Sequence, residues 1–241
     1  RMNAALALAT ELGHPFTSAY ARFHSALLRH WRREPGMVRD LAAGLLEIAD
    51  EHDFRIWTAA GGCLLGAAQV SLGQVEEGLA GIRKGTDMYQ GLRSPPVFWP
   101  MLLFIDAGAH LQAGRPASAL KPIDAAIELM SQGPGTTILP ELHLLKGDIV
   151  AALSGDDGTG RSAAEPWYRR AFERATALQC RMTQLRAATR LGRLLHADGE
   201  PEAAARTLGA VYATFTEGFA TADLLEARDV LDAVASRSTT A

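Results

Sequence analysis

Residues 64–82 read LLGAAQVSLGQVEEGLAGI, and the reading of this stretch decides the fold. An apolar run with helical spacing ends at Gly73, and a second helical pattern follows at once, carrying Gly78 five positions past the turn. The same arrangement returns in FIDAGAHLQAGRPASALKPI at 104–123 and in ATRLGRLLHADGEPEAAARTL at 188–208. There the turn glycines are Gly114 and Gly199, and the small residues five later are Ala119 and Ala204. The segment AAEPWYRRAF at 163–172 supplies a fourth copy, with Ala164 in the small position, Tyr168 four later and Ala171 seven later. Successive small positions are therefore 41, 45 and 40 residues apart. A glycine just past a helix takes the left-handed conformation that ends it at little cost. A small residue lets two helices of a hairpin approach closely, and a large apolar residue one turn later fills the space beside it.

Alternating strand patterns are nearly absent, whereas apolar residues recur at three and four positions almost everywhere. Helices are predicted at 2–13, 16–33, 37–52, 54–72, 75–91, 97–113, 116–131, 138–154, 162–179, 181–198, 201–215 and 222–235. Breaks with turn chemistry separate them: EPG at 34–36, SPP at 94–96, GPG at 133–135 and GDDGTG at 155–160. Each segment has one apolar face and is too short to stand alone, so the helices must pack in pairs. A period of about 40 residues built from helix pairs means an all-α solenoid of antiparallel hairpins. One continuous domain is expected over 1–235, with 236–241 as a disordered tail.

Composition narrows the function. Hydrophobic residues make up 48% and charged residues 21% of 241, which suits a folded domain with a substantial core. A net charge of -3 provides no global attraction for nucleic acid or anionic membrane. Two cysteines, Cys63 and Cys180, both lie in apolar helical patterns, so no disulfide framework is expected and a reducing, cytoplasmic compartment fits. No run reaches the roughly 20 apolar residues that span a bilayer. The start, MNAALALATELG, has the apolar look of a signal peptide, but Glu11 and the leucine spacing suit an amphipathic helix better. Because Arg1 precedes Met2, the chain is expected to be a piece of a longer protein.

The repeating units resemble tetratricopeptide repeats with longer helices. Leu65-Gly66 and Leu191-Gly192 stand at the leucine–glycine position of that repeat, whereas Asp106-Ala107 replaces it in another unit. More specifically, the chain is similar to the C-terminal repeat region of large bacterial signalling proteins. Those proteins join an adenylate/guanylate cyclase-like or DNA-binding output domain to an ATPase of the STAND type. The segments that carry the similarity are ATELGHPFTSAYARF at 9–23, LHLLKGDIV at 142–150, LRAATRLGRLL at 185–195 and VYATFTEGFATADLLEARDVL at 211–231. The resemblance implies a right-handed tetratricopeptide-like superhelix of about twelve helices, acting as a sensor or scaffold, with cyclase or ATPase motifs upstream.

Candidate chemistry is sparse. GDDGTGRS at 155–162 imitates a phosphate loop with Arg161 in place of lysine. A phosphate loop follows a buried strand and opens a helix. Here the preceding residues are helical by spacing, Asp156 and Asp157 would repel a triphosphate, and the segment falls where the period lengthens from 41 to 45; it is read as a loop. The seven histidines include no i, i+4 pair and have no cysteine pair nearby, so no metal ligand set is assigned. Adjacent carboxylates such as Glu76-Glu77 sit at helix starts, where the helix dipole favours them. No nucleophile elbow is present, Cys63 reads as a core thiol, and neither a catalytic residue nor a cofactor is assigned.

One charged row stands out. Arg186, Arg190 and Arg193 follow i, i+4, i+7 along one face of a first helix. Guanidinium groups there are suited to bidentate capture of carboxylate or phosphate from a concave groove. The competing reading pairs them with acidic residues of neighbouring helices, Glu141 or Glu226, as charged helix rows usually do. Trp99, in the Phe98-Trp99 pair after two prolines, is the aromatic candidate for a peptide contact. Near the C-terminus, Gly218 is expected to turn the chain. Phe215 and Phe219 are expected to fold onto one inter-helix seam as a clamp, and Thr221 to cap the last helix. Together these residues point to a non-catalytic module that holds a protein, peptide or effector, or packs on upstream domains of its own chain. The rival readings are a homo-oligomerisation module and a nucleotide-binding enzyme using residues 155–162.

Overall fold

The computed structural model describes residues 2–92, 97–132, 137–154 and 159–238. All regular structure among them is helical: α1 (Met2–Glu11), α2 (Pro15–Trp31), α3 (Pro35–Glu51), α4 (Arg55–Ser71), α5 (Val75–Gln90), α6 (Trp99–Gln112), α7 (Pro116–Ser131), α8 (Leu139–Leu153), α9 (Thr159–Ala177), α10 (Arg181–Ala197), α11 (Pro201–Tyr212) and α12 (Ala222–Ser238). Consecutive helices pack as adjacent pairs, as in an α-solenoid. The chain forms two compact units, residues 1–126 and 127–241, with the boundary inside α7.

One turn geometry recurs in both units. Gly73, Gly114 and Gly199 have φ of +91°, +70° and +83°, so each supplies the left-handed residue that its turn requires. The same conformation is taken by Arg33, Asp53 and Gln179, where no glycine marks the turn. In all six, the left-handed N–H donates to the carbonyl three residues back. The next N–H donates to the carbonyl five back, as from Gln74 to Gln69 at 2.9 Å and from Cys180 to Ala175 at 2.8 Å. Two carbonyls that the helix end leaves open are thereby satisfied. The following helix starts within two residues, and in α3 and α11 proline occupies its opening position, where a missing N–H costs nothing. EPG at 34–36 is thus a helix start rather than a loop. SPP and GPG lie at or across positions outside the described residues.

The small positions do what their size permits. Ala119, Ala164 and Ala204 are buried, as are the large residues four later, Ile123, Tyr168 and Leu208. In the α4–α5 hairpin the contact is between backbones. A Cβ on Gly66 would lie 2.4 Å from the Gly78 carbonyl oxygen, and one on Gly78 equally close to that of Gly66. Two turns further along, a Cβ on Gly85 would lie 2.6 Å from the Ala59 carbonyl oxygen. Around this hairpin the first unit gathers one core: Phe23, Leu45, Trp57, Leu64, Ile82, Leu102 and Ile105, each almost fully buried. Among its described residues the second unit has one cluster around Leu144, Tyr168 and Leu191 and another around Leu185, Leu208, Leu224 and Val230.

The C-terminal turn differs from its expected form. Gly218 has φ of +80° and does turn the chain, and half-buried Phe215 packs on the last cluster. Phe219 is 44% exposed and touches only the rim, its ring 5.9 Å from that of Tyr212. It is not the buried half of a clamp, because the turn carries its side chain past the seam that Phe215 occupies. The Thr221 carbonyl accepts the first helical bond of α12 from Leu225, but its hydroxyl donates back to the Gly218 carbonyl at 2.7 Å. Thr221 therefore stands at the cap position and tightens the preceding turn instead of capping through its side chain.

Two leucine–glycine positions should respond in opposite ways. Gly66→Ala forces apart two backbones and is expected to destabilise by roughly 3 kcal/mol, the upper range for overpacking. A Cβ on Gly192 would meet Leu208 and Val230 at an ordinary 3.6 Å. Gly192→Ala should instead stabilise by about 0.5–1 kcal/mol, through helix propensity. Thermal and urea unfolding of the two variants checks both signs.

Candidate functional site

The α10 arginines are brought together with carboxylates from the helices on either side. Arg186 donates from Nη1 to Glu141 Oε1 on α8 at 2.8 Å and from Nη2 to Asp223 Oδ2 on α12 at 2.8 Å. One turn on, Arg190 reaches Asp148 on α8 at 2.9 Å and Glu226 on α12 at 2.6 Å. Arg193 shares Glu226 at 2.6 Å. The hydroxyls of Thr183 and Tyr168 add bonds to Glu141 at 2.7 Å and to Asp148 at 2.9 Å. Helical spacing explains the match: Glu141 and Asp148 are two turns apart, and Asp223 and Glu226 are neighbours on one face.

These contacts decide between the two readings of the row. Burial works against the charge on Arg186, yet Glu141 and Asp223 outweigh it and hold the guanidinium above its ordinary pKa. Arg190 is raised in the same way, chiefly by Asp148 against the cost of burial. Burial and the adjacent Asp148 push the Tyr168 phenol up, so it stays a neutral donor. Arg186, Arg190 and Glu141 form an internal strut between α8, α10 and α12, and the pairing reading holds. Arg193 is 47% exposed and keeps one side toward solvent. Trp99 lies in the other unit, half-buried at the start of α6 and stacked 6.0 Å from Tyr89 at an interplanar angle of 7°.

A second arrangement combines residues that the sequence alone does not connect. Ile127 and Ser131 at the end of α7, Leu139 and His143 on α8, and Trp167, Arg170, Glu173 and Arg174 on α9 line an open cavity of about 400 Å³. Trp167, Arg170 and Arg174 follow i, i+3, i+7 and share one face of α9. The Arg170 guanidinium lies over the indole of Trp167, 5.0 Å from its centroid, and Lys146 Nζ lies 5.8 Å from the same ring. His143 is 8% exposed, its ring 5.8 Å from that of Trp167, and its Nδ1 has no partner among the described residues. Burial, then Arg170 and Arg174, lowers its pKa to about 4, so the imidazole is neutral near pH 7. Neither Arg170 nor Arg174 has an ion-pair partner among the described residues, unlike Arg186, Arg190 and Arg193 of α10. The arginine spacing on α9 was visible in the sequence. That no carboxylate among the described residues pairs with Arg170 or Arg174 was not.

The Cys63 thiol is buried and pushed up to about 12, which keeps it protonated and inert. No cluster of His, Cys, Asp or Glu among the described residues could hold a metal ion, and no helix among them is long and apolar enough to cross a membrane. The phosphate-loop imitation is preceded by helix α8 rather than a strand. Gly160 and Arg161 already belong to α9, while 155–158 lie outside the described residues. No protein-family model matches the chain, and no curated protein matches it either.

Two measurements probe these groups. Arg186→Met removes the guanidinium that bridges Glu141 and the 5%-exposed Asp223. A loss of about 3–5 kcal/mol is expected in chemical unfolding, the scale for breaking a buried pair on one side. For His143, the folded state takes a proton only near pH 4, whereas an ordinary histidine does so near 6.5. On acidification the unfolded chain binds the proton first, so stability present above pH 6.5 is lost as the pH falls toward 4. In His143→Leu the slope of stability against pH should flatten across that window.

Proposed function

We propose that this chain is a non-catalytic helical-repeat module that binds a partner segment or effector within a larger bacterial signal-transduction regulator in the cytoplasm. The observation that carries the reading is the succession of helical hairpins closed by one repeated turn. Such arrays present extended binding surfaces built from successive helices. The tetratricopeptide-like pattern of Leu65-Gly66 and Leu191-Gly192 supports the same class. Binding would favour one packing of the array on its upstream ATPase over another and so bias the output domain.

A second reading, association between copies of the chain, is favoured by one observation. Leu8, Leu12, Phe16 and Tyr20 on and between α1 and α2 are 55%, 62%, 44% and 50% exposed. Light scattering over a concentration series separates it from the first. In the full-length protein, removing residues 1–241 should change how output activity responds to its signal without abolishing that activity. Calorimetry of the isolated chain with ATP and magnesium should show no heat. Nucleotide turnover by that chain, lost in Arg161→Ala, would overturn the non-catalytic reading.

A further inference from the structure

The cavity between α7, α8 and α9 differs from the arginine row of α10. On α10 Arg186, Arg190 and Arg193 each meet a carboxylate from a neighbouring helix. On α9 two guanidiniums, Arg170 and Arg174, face a cavity with no carboxylate bound to either, among the described residues. Glu173 also lines the cavity and contributes the opposing charge. With His143 neutral, the lining carries two positive charges and one negative one, a net excess of one. Apart from Ser131, the rest of the wall is apolar or aromatic: Ile127, Leu139 and the indole of Trp167. A volume of about 400 Å³ admits a small organic molecule and is too small for a folded partner's surface.

We propose that this cavity binds a small organic anion whose carboxylate or phosphate end lies between Arg170 and Arg174 and whose apolar body lies against Trp167, Ile127 and Leu139. Guanidinium groups bind such oxyanions in pairs of charge-assisted hydrogen bonds, and Arg170 is already held in place over the Trp167 ring. Trp167 thus orients the cation and gives the ligand's body a flat apolar surface. The His143 ring, packed beside Trp167 and uncharged, supplies a polar wall without adding a competing charge. This inference rests on the binding-module reading and names the effector class for it. It needs neither the upstream domains nor the association between copies.

The test is titration of the chain with benzoate, phenyl phosphate and benzyl alcohol, followed by calorimetry and by the indole N–H resonance of Trp167. Either anion should bind and shift that resonance, the uncharged alcohol should not, and the preferred anion identifies the headgroup. The exposed double variant Arg170→Gln/Arg174→Gln should weaken binding at least about tenfold. Arg169→Gln, which alters a guanidinium paired with Glu165 instead, should leave binding unchanged. The proposal is overturned if neither anion binds at millimolar concentration, or if the double variant binds as the parent does. Absence of anion binding alongside a regulatory effect of removing residues 1–241 would sink the effector site alone. Release of phenol from phenyl phosphate would instead sink the non-catalytic reading and leave the site standing.

Discussion

Chain reversal through a single left-handed residue is the constraint on which the rest of this structure depends. Six turns share the same two hydrogen bonds, from the left-handed residue and from the one after it. Each fixes where one helix stops and where the next begins, leaving the two antiparallel and in contact. The register between them then follows from geometry, since a residue five past the turn faces one seven before it. That is why Gly66 meets Gly78 across α4 and α5. Three of the turns pay for the conformation with a side chain, at Arg33, Asp53 and Gln179, where the left-handed state costs about 1–2 kcal/mol more than for glycine.

With hairpins set locally, the second unit is joined by a different force. Arg186 and Arg190 each bridge one carboxylate on α8 and one on α12, so α10 is tied to both neighbours at two levels. Such buried pairs add little net stability over well-packed apolar residues, because desolvation offsets their attraction. What they do fix is alignment: a slip of one turn would leave four carboxylates facing two misplaced guanidiniums. Tyr168 joins the same network while filling the space above Gly147, so hairpin packing and charge pairing share a residue. The arginines of α9 stand outside this network, and that contrast directs attention to the α7–α9 cavity rather than to the α10 row.

Much of the fold was legible because it is local. The helix limits, the turn glycines and the small positions follow from spacing within about 20 residues, and the structure places them within a few residues of expectation. The non-glycine turns were harder to read, since nothing in Arg33, Asp53 or Gln179 marks a left-handed conformation. Phe219 was misread for a related reason. Its apolar character suggested burial, but a turn with φ of +80° at Gly218 decides which way the next side chain leaves the backbone.

The sequence by itself determined an all-helical chain of hairpins, because helix period, turn glycine and small-residue spacing are written in neighbouring residues. It also raised the α10 arginine row as the charged feature to explain. Only the tertiary structure decided what those arginines do, since their partners lie 33 to 45 residues away on other helices. The same holds for the cavity. Ile127, His143 and Trp167 come from three helices, and whether a guanidinium there is paired or open depends on which side chains the packing brings beside it. Charge at a given position is a property of the sequence. Whether that charge is neutralised from within is a property of the fold, because it is set by distances that only packing fixes.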